Sequence, residues 1–297
     1  MSTSAPVGVV GLGIMGSAFA TNLLEKGFQV VGTDPVESAR SALEAAGGSS
    51  VATASEVAKV CDCILVSLPS VAALDAVTEG RGNLCEGLSS GKVVVELGTL
   101  PLEAKDRARF RVEAKSAAML DCPVSGTGAQ AAKRDLVLFA SGETEAIEKA
   151  RPVLEAIARD VRNVGEFGTG IKIKYVANLL VAVHNVAAAE ALLLAERSGL
   201  DLSFVLDAVT GGAGGSKMLE LRGPLMARES YEPATMKIDV FQKDLALIAD
   251  HAASVGSPSP LLDACKRIYD EAMAQGRGKQ DTAAVFSTMK SSTFTKI

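Results

Sequence analysis

Histidine is nearly absent from this chain: two occur in 297 residues, His184 and His251. Neither belongs to a motif, both are read as structural, and no ligand spacing points to a metal-dependent mechanism. Cysteine is equally unhelpful to metal chemistry. Cys61 and Cys63 share the strand-like run Cys-Asp-Cys-Ile-Leu-Val, while Cys85, Cys122 and Cys265 stand alone, so buried reduced thiols are expected. There is no excess of positive charge, with 30 Lys and Arg against 35 Asp and Glu, and the basic residues are scattered. That excludes nucleic acid and anionic membranes as expected partners. Met1-Ser2-Thr3-Ser4 leads into Val7-Gly8-Val9-Val10 without the basic and apolar regions of a signal peptide. One run, after Lys174, is long and apolar enough to consider as a membrane span, and it carries His184, Asn185 and Glu190. A soluble, cytoplasmic protein with no internal repeat is expected.

What is present is ample apolar material, 48% of the residues, enough for two domains with cores of their own. The apolar strand Val7 to Val10 runs into Gly11-Leu12-Gly13-Ile14-Met15-Gly16, then an amphipathic helix to Lys26-Gly27, then the strand Phe28 to Thr33 with Asp34 at its end. In this order the glycines carry meaning. Gly11 permits a tight turn, Gly13 lets a pyrophosphate approach backbone N–H groups at the helix start, and Gly16 allows close helix–strand packing. Leu12, Ile14 and Met15 fall within the same turn and are cofactor-binding candidates. Asp34 lies 18 residues after Gly16, where a carboxylate accepts hydrogen bonds from the ribose hydroxyls and repels a 2′-phosphate. Pro35 follows where an NADP enzyme would use Arg, so NAD is favoured and NADP is possible, with Arg40 as the residue a helix could bring near.

Helices are expected at 39–46, 54–60, 72–77 and 144–159, alternating with strands at 63–69, 91–97, 117–121, 136–142 and 161–164, the last closing the sheet. Near-continuous apolar strands alternating with helices imply a parallel sheet covered on both faces. Ligands sit at the carboxyl ends of such strands, which makes Leu68, Pro69 and Thr99 candidate cofactor contacts. After Gly170 the pattern is helical to the end. The expected α/β architecture is an N-terminal Rossmann doubly wound sheet, residues 1–166, and an all-helical domain for substrate and dimerisation, residues 167–297, joined by a long interdomain helix. The small-residue loop Cys122 to Ala129 follows a strand, and Gly211 to Gly215 is a flexible loop that could border a ligand.

The stretch Gly168 to Asn178 holds the expected chemistry. Asn178 comes four positions after Lys174, so on a helix they lie one turn apart on nearly the same face. Lys174 can take a hydroxyl proton, or return one to an alkoxide, if a dry pocket or a second cation lowers its pKa. The Asn178 amide can hold the hydroxyl oxygen for hydride delivery. Lys172 is read as a solvated surface lysine.

Four motifs in fixed order resemble the β-hydroxyacid dehydrogenase family, the group of 3-hydroxyisobutyrate dehydrogenase and tartronate semialdehyde reductase, related to 6-phosphogluconate dehydrogenase. They are Gly11 to Gly16, Asp121-Cys122-Pro123-Val124-Ser125-Gly126, Gly168 to Asn178, and Lys243-Asp244-Leu245. The resemblance implies that Lys174 is the catalytic lysine and Asn178 its partner, and that Ser125 and Gly126 bind the substrate carboxylate. It also places Thr99 beside the nicotinamide and makes Lys243 the lysine closing the far side, while Asp244 is read as structural. The Ser125 hydroxyl and the N–H groups around Gly126 and Thr127 suit a carboxylate. Thr127, Gln130 and Arg134 depart from the family's glycines, Ala177 from a second asparagine and Gly98 from a serine, which leaves the substrate open. The expected function is hydride transfer between NAD(H) and a small hydroxy acid or its semialdehyde or oxo acid. The alternatives are an oxidative decarboxylase of a sugar acid, an imine reductase, and a non-catalytic NAD-binding scaffold. A homodimer or homotetramer is expected because the helix after Lys174 is apolar nearly all round.

Overall fold

The computed structural model describes residues 5–291, which form two compact units divided between Lys174 and Tyr175. In the first, strands β1 (Val7–Val10), β2 (Val30–Thr33), β3 (Ser49–Ser50), β4 (Cys63–Val66), β5 (Val93–Glu96) and β6 (Ala118–Asp121) form one parallel sheet in the order β3-β2-β1-β4-β5-β6. The order reverses beside β1, which is the Rossmann arrangement. Strand alternation sends neighbouring side chains to opposite cores. Val9, Leu65, Val95 and Leu120 join one core, and Val10, Ile64, Val66 and Val94 the other.

Helices α1 (Ile14–Glu25), α2 (Glu37–Ala45), α3 (Ala54–Val60), α4 (Val71–Glu79) and α5 (Leu102–Glu113) cover these faces. Phe19 and Leu23 of α1 close the first core, and Val57, Leu74, Ala108 and Val112 the second. Each such fully buried side chain larger than alanine contributes about 1.5–3 kcal/mol. Sequence reading missed α5, whose charged composition hides a narrow stripe of Ala104, Ala108 and Val112. Within that stripe lies a fully buried lysine, Lys105.

The expected strands at 136–142 and 161–164 exist but do not close the parallel sheet. Instead β7 (Val124–Ser125), β8 (Val137–Ala140) and β9 (Asp160–Asn163) make a separate three-stranded sheet, with β7 antiparallel to β8 and β9 parallel to it. Asp121 and Ser141 link the sheets by exchanging backbone hydrogen bonds of 3.0 and 2.8 Å in an antiparallel bridge. Two residues later Pro123, with no N–H, cannot extend a ladder. Helices α6 (Gly128–Ala131) and α7 (Thr144–Ile157) complete the unit.

Helix α8 (Thr169–Arg197) starts in this unit and continues into the helical one. There follow α9 (Leu202–Thr210), α10 (Lys217–Ala227), α11 (Ile238–Ser254), α12 (Pro260–Ala274) and α13 (Val285–Ser291). The helical core is built on Phe241, Leu245, Leu262, Tyr269 and Phe286. Buried Asn185 of α8 donates to Tyr269 Oη (2.8 Å) and to the Thr282 carbonyl (2.9 Å). Among the described residues α8 is the one helix long and apolar enough to cross a membrane by length and composition, and these bonds show it serving a protein core.

Buried Asp281 holds the helical unit's loops together. Its Oδ2 accepts from Thr235 N–H (2.8 Å), Thr235 Oγ1 (2.6 Å) and Met236 N–H (3.1 Å), while Oδ1 accepts from Ala283 N–H (3.0 Å) and pairs with Arg222 (3.3 Å). Burial opposes the charge on Asp281, but these donors outweigh it and lower its pKa.

Candidate functional site

The three motif glycines have different physical reasons. A Cβ on Gly11, which sits at φ 89°, would lie 2.2 Å from the Ser67 carbonyl, and one on Gly16 would lie 1.8 Å from the Gly11 carbonyl. Both are fixed by the protein's own packing. A Cβ on Gly13 would meet no protein atom within 4 Å. Nothing inside the chain demands glycine there, whereas close approach of an external group does. Gly13 is the N-cap of α1 and no side chain caps that helix, the arrangement in which first-turn N–H groups can receive an anion. Leu12 is buried, Met15 packs partly on the core, and Ile14 is 77% exposed.

At the end of β2, Asp34 Oδ2 accepts from Leu12 N–H (2.7 Å) and Oδ1 from Val36 N–H (2.8 Å). The carboxylate is thereby tied to the glycine turn. Arg40 of α2 does come near, donating from Nη1 to the Asp34 carbonyl at 2.6 Å. Leu68 follows the end of β4 and packs partly on the second core, while Pro69 is exposed. Thr99 follows β5 and is half-buried. Gly98, before it, donates to Glu96 Oε1 at 2.8 Å, and a Cβ on Gly98 would sit 2.7 Å from that oxygen. The departure from serine at this position is therefore a packing requirement.

Ser125, Gly126 and Thr127 follow the end of β6 and are all half-buried. Gly126 has φ 144°, and a Cβ there would strike Leu136 at 2.4 Å. The Thr127 N–H and hydroxyl donate to Gln130 Oε1 at 3.0 and 3.2 Å. That N–H is thus already engaged, which narrows the loop's anion donors. Arg134 pairs with Glu25 of α1 at 2.9 Å, so its charge is directed to α1.

Gly168, ahead of α8, has no side chain with which to cap it, and the cap comes from elsewhere in the chain. Ser141 Oγ accepts from Gly170 N–H (3.0 Å) and Asp121 Oδ2 from Ile171 N–H (2.8 Å). One turn further, Lys174 is 6% exposed. Asn178 is 4% exposed and donates from Nδ2 to Asp244 Oδ2 at 2.9 Å. The other Asp244 oxygen lies 3.6 Å from Lys243 Nζ, so within the helical unit one carboxylate bridges Asn178 and Lys243. His251 packs against Tyr175 with ring centroids 5.1 Å apart and the rings tilted by 43°, and His184 is exposed.

All five cysteines are free and buried, and burial pushes the Cys61 and Cys63 thiols up to about 12. Among the described residues no three His, Cys, Asp or Glu side chains group to hold a metal ion. A hollow of about 520 Å³ lies at the amino ends of β5 and β6, lined by Lys92, Glu113 and Lys149. It is at the opposite edge of the sheet from the strand carboxyl ends where such folds bind ligands.

Sequence reasoning missed Glu96 and Lys105, and took Asp121 only as part of a motif. Their signals were a lysine within the buried stripe of α5 and acids closing two apolar strands.

Residues 6–165 match the NAD binding domain of 6-phosphogluconate dehydrogenase, and residues 168–289 match the NAD-binding domain of NADP-dependent 3-hydroxyisobutyrate dehydrogenase. L-threonate dehydrogenase of Cupriavidus necator is 35% identical over 283 residues, 95% of each chain. 3-Sulfolactaldehyde reductase of Escherichia coli is 32% identical over 286 residues, 96% of each chain. The crystal structure of 3-hydroxyisobutyrate dehydrogenase from Salmonella typhimurium superposes with a TM-score of 0.85 at 33% identity, covering 96% of this chain and 99% of that one.

Proposed function

The chain belongs to the β-hydroxyacid dehydrogenase family, and from that premise we infer that Lys174 is its proton-transfer group and Asn178 the partner that holds the reacting oxygen. The protein is an NAD(P)-dependent oxidoreductase that interconverts a small hydroxy acid and its carbonyl counterpart. The single observation that carries the lysine assignment is its burial: Lys174 is 6% exposed, one helical turn from an equally buried asparagine.

Bound NAD⁺ supplies the hydride acceptor. In the oxidative direction neutral Lys174 Nζ takes the hydroxyl proton as the C–H hydride leaves, and the carbonyl forms; reduction returns the same proton to the alkoxide. Asp244 takes one Asn178 N–H, which fixes the amide's orientation and leaves its second N–H and its oxygen for the substrate hydroxyl. Lys243, held beside Asp244, supplies the second cation. The Ser125 hydroxyl and the Gly126 N–H bind the carboxylate, with Thr127 shaping the loop through Gln130.

Gly11, Leu12, Gly13, Ile14, Met15 and Gly16 hold the pyrophosphate, and Leu68, Pro69 and Thr99 line the nicotinamide end. Asp34 binds the adenine ribose and favours NAD, while Arg40 beside it leaves NADP usable. The nucleotide-binding part extends to residue 166 and the helical part from 167. The protein works in the cytoplasm as a homodimer or homotetramer, its second copy covering the exposed Val176, Leu180 and Leu194 of α8 and Phe204 of α9.

The test is turnover with NAD⁺ and NADP⁺ on L-threonate and 3-hydroxyisobutyrate, and with NADH and NADPH on 3-sulfolactaldehyde and succinic semialdehyde. Turnover of at least one acid by the wild type, lost in Lys174→Ala with NADH affinity kept, supports the reading. Undiminished turnover in Lys174→Ala would sink it.

A further inference from the structure

A lysine with no exposed surface is expensive, because removing an ammonium from water costs several kcal/mol even after relaxation. Lys105 of α5 is fully buried, with Nζ 2.6 Å from Glu96 Oε2, 2.6 Å from Asp121 Oδ1 and 2.8 Å from the Gly98 carbonyl. Burial pushes its pKa down, but the two carboxylates outweigh that and hold it above the ordinary lysine value, so it stays charged. Burial raises the pKa of Glu96. Buried ion pairs of this kind often stabilise no more than an apolar replacement would. Bulk stability is therefore a poor reason for this cluster.

Its connections suggest a better one. Glu96 ends β5 and accepts from Gly98 N–H, so the cluster grips both backbone groups of the residue before Thr99. Asp121 ends β6, four residues before Ser125, and its second oxygen caps α8 at Ile171. Ser141 adds its hydroxyl between Asp121 Oδ2 (3.1 Å) and Gly170 N–H (3.0 Å). The first turn of α8 packs closely on this loop, since a Cβ on Gly170 would lie 2.4 Å from the Phe139 carbonyl and 2.9 Å from Pro123. Lys174 stands three residues past Ile171, about 4.5 Å along the helix axis. The Asp121 oxygen that caps Ile171 lies at the helix's positive end, which suits the macrodipole.

We propose that Lys105, Glu96, Asp121 and Ser141 are positioning residues: they lock the start of α8 to the ends of β5 and β6 and so set Lys174 in register with Thr99 and Ser125. The proposal rests on the reading of Lys174 as the proton-transfer group. A displacement of about 1 Å at a reacting group can cost on the order of 100-fold in rate.

The test is a double-substitution cycle, with L-threonate and NAD⁺ as the probe or whichever compound of the panel above turns over fastest. Asp121→Asn keeps the shape and an acceptor but removes the charge. It is expected to lower kcat about 10- to 100-fold, with KM and NADH affinity within about threefold. In the Lys174→Ala background the same substitution is expected to change the residual rate less than about twofold, because the group it positions has gone. Ser141→Ala withdraws one hydroxyl and is expected to act the same way with a loss of about three- to tenfold, so it carries the test should Asp121→Asn not fold. Equal losses in both backgrounds, or an unchanged kcat in folded Asp121→Asn, would overturn the positioning role alone. Full turnover by Lys174→Ala would overturn the lysine assignment and the proposal with it.

Discussion

The sheet unit and the helical unit use burial in opposite ways. Of the fifteen large hydrophobic side chains left exposed among the described residues, four (Ile14, Val36, Val60 and Phe110) precede residue 175 and eleven follow it. Residues 1–174 hide their apolar groups in two cores and bury charge at the strand ends, around Lys105. Residues 175–297 bury charge in the loop hub at Asp281 and leave leucine, valine and phenylalanine in the open, to the extent that α9 has no buried residue at all. In the first unit polar burial serves the proposed positioning; in the second, apolar side chains stay exposed, on the surface proposed above for another copy.

That contrast can be broken from either side. The largest effect is expected at Lys174. Lys174→Ala should cut turnover by about 10²–10⁴-fold, with NADH affinity nearly unchanged and thermal stability preserved. All three tyrosines, Tyr175, Tyr231 and Tyr269, lie in the helical unit and the chain has no tryptophan, so tyrosine emission reads that unit alone. A parallel loss of the whole chain's thermal stability by circular dichroism would show Lys174 to be structural.

Asp281→Asn is the counterpart, expected to destabilise by about 3 kcal/mol because it leaves Arg222 buried without its charge partner. Denaturant unfolding followed by tyrosine emission measures it. The pH dependence has a definite sign. The folded pKa of Asp281 is lowered, so its contribution is present above the unfolded value of 3.8 and is lost as pH falls through the folded value. The wild type should therefore lose stability below about pH 4, and Asp281→Asn should show a shallower acid loss.

Smaller in free energy is the assembly surface. Leu194→Asp combined with Phe204→Asp, at positions 70% and 69% exposed, should leave the monomer's melting temperature nearly unchanged while shifting the sedimentation profile toward monomer. An unaltered profile would place the interface elsewhere. The smallest change is expected at Asp34: Asp34→Ala should weaken NADH about tenfold and NADPH less, by roughly the worth of a charged hydrogen bond. An unchanged preference in fluorescence titration would remove Asp34 from the ribose site.

Much of this was legible before any coordinates. Val7 to Val10, the three glycines and Asp34 follow one another in an order that only a strand, turn, helix and strand can use, and the structure adds why Gly13 differs from its neighbours. The helical character after Gly170 was equally plain. Three features were hidden. Helix α5 was lost because its charges dilute the apolar stripe. The strands expected at 136–142 and 161–164 belong to a second sheet, since an apolar run states that it is buried but not which edge it pairs with. Lys105 was passed over because composition makes every lysine look solvated.

The sequence by itself determined the alternation of strands and helices, the glycine turn and the spacing of Lys174 and Asn178, because each follows from local periodicity and backbone sterics within about twenty residues. Tertiary structure alone decided that Asp121 and Ser141, 50 and 29 residues before their backbone partners, would cap α8, and that Lys105 would be buried between two acids. Those pairings depend on which strand ends the sheet order brings side by side, and sheet order is set by long-range packing that no local pattern encodes.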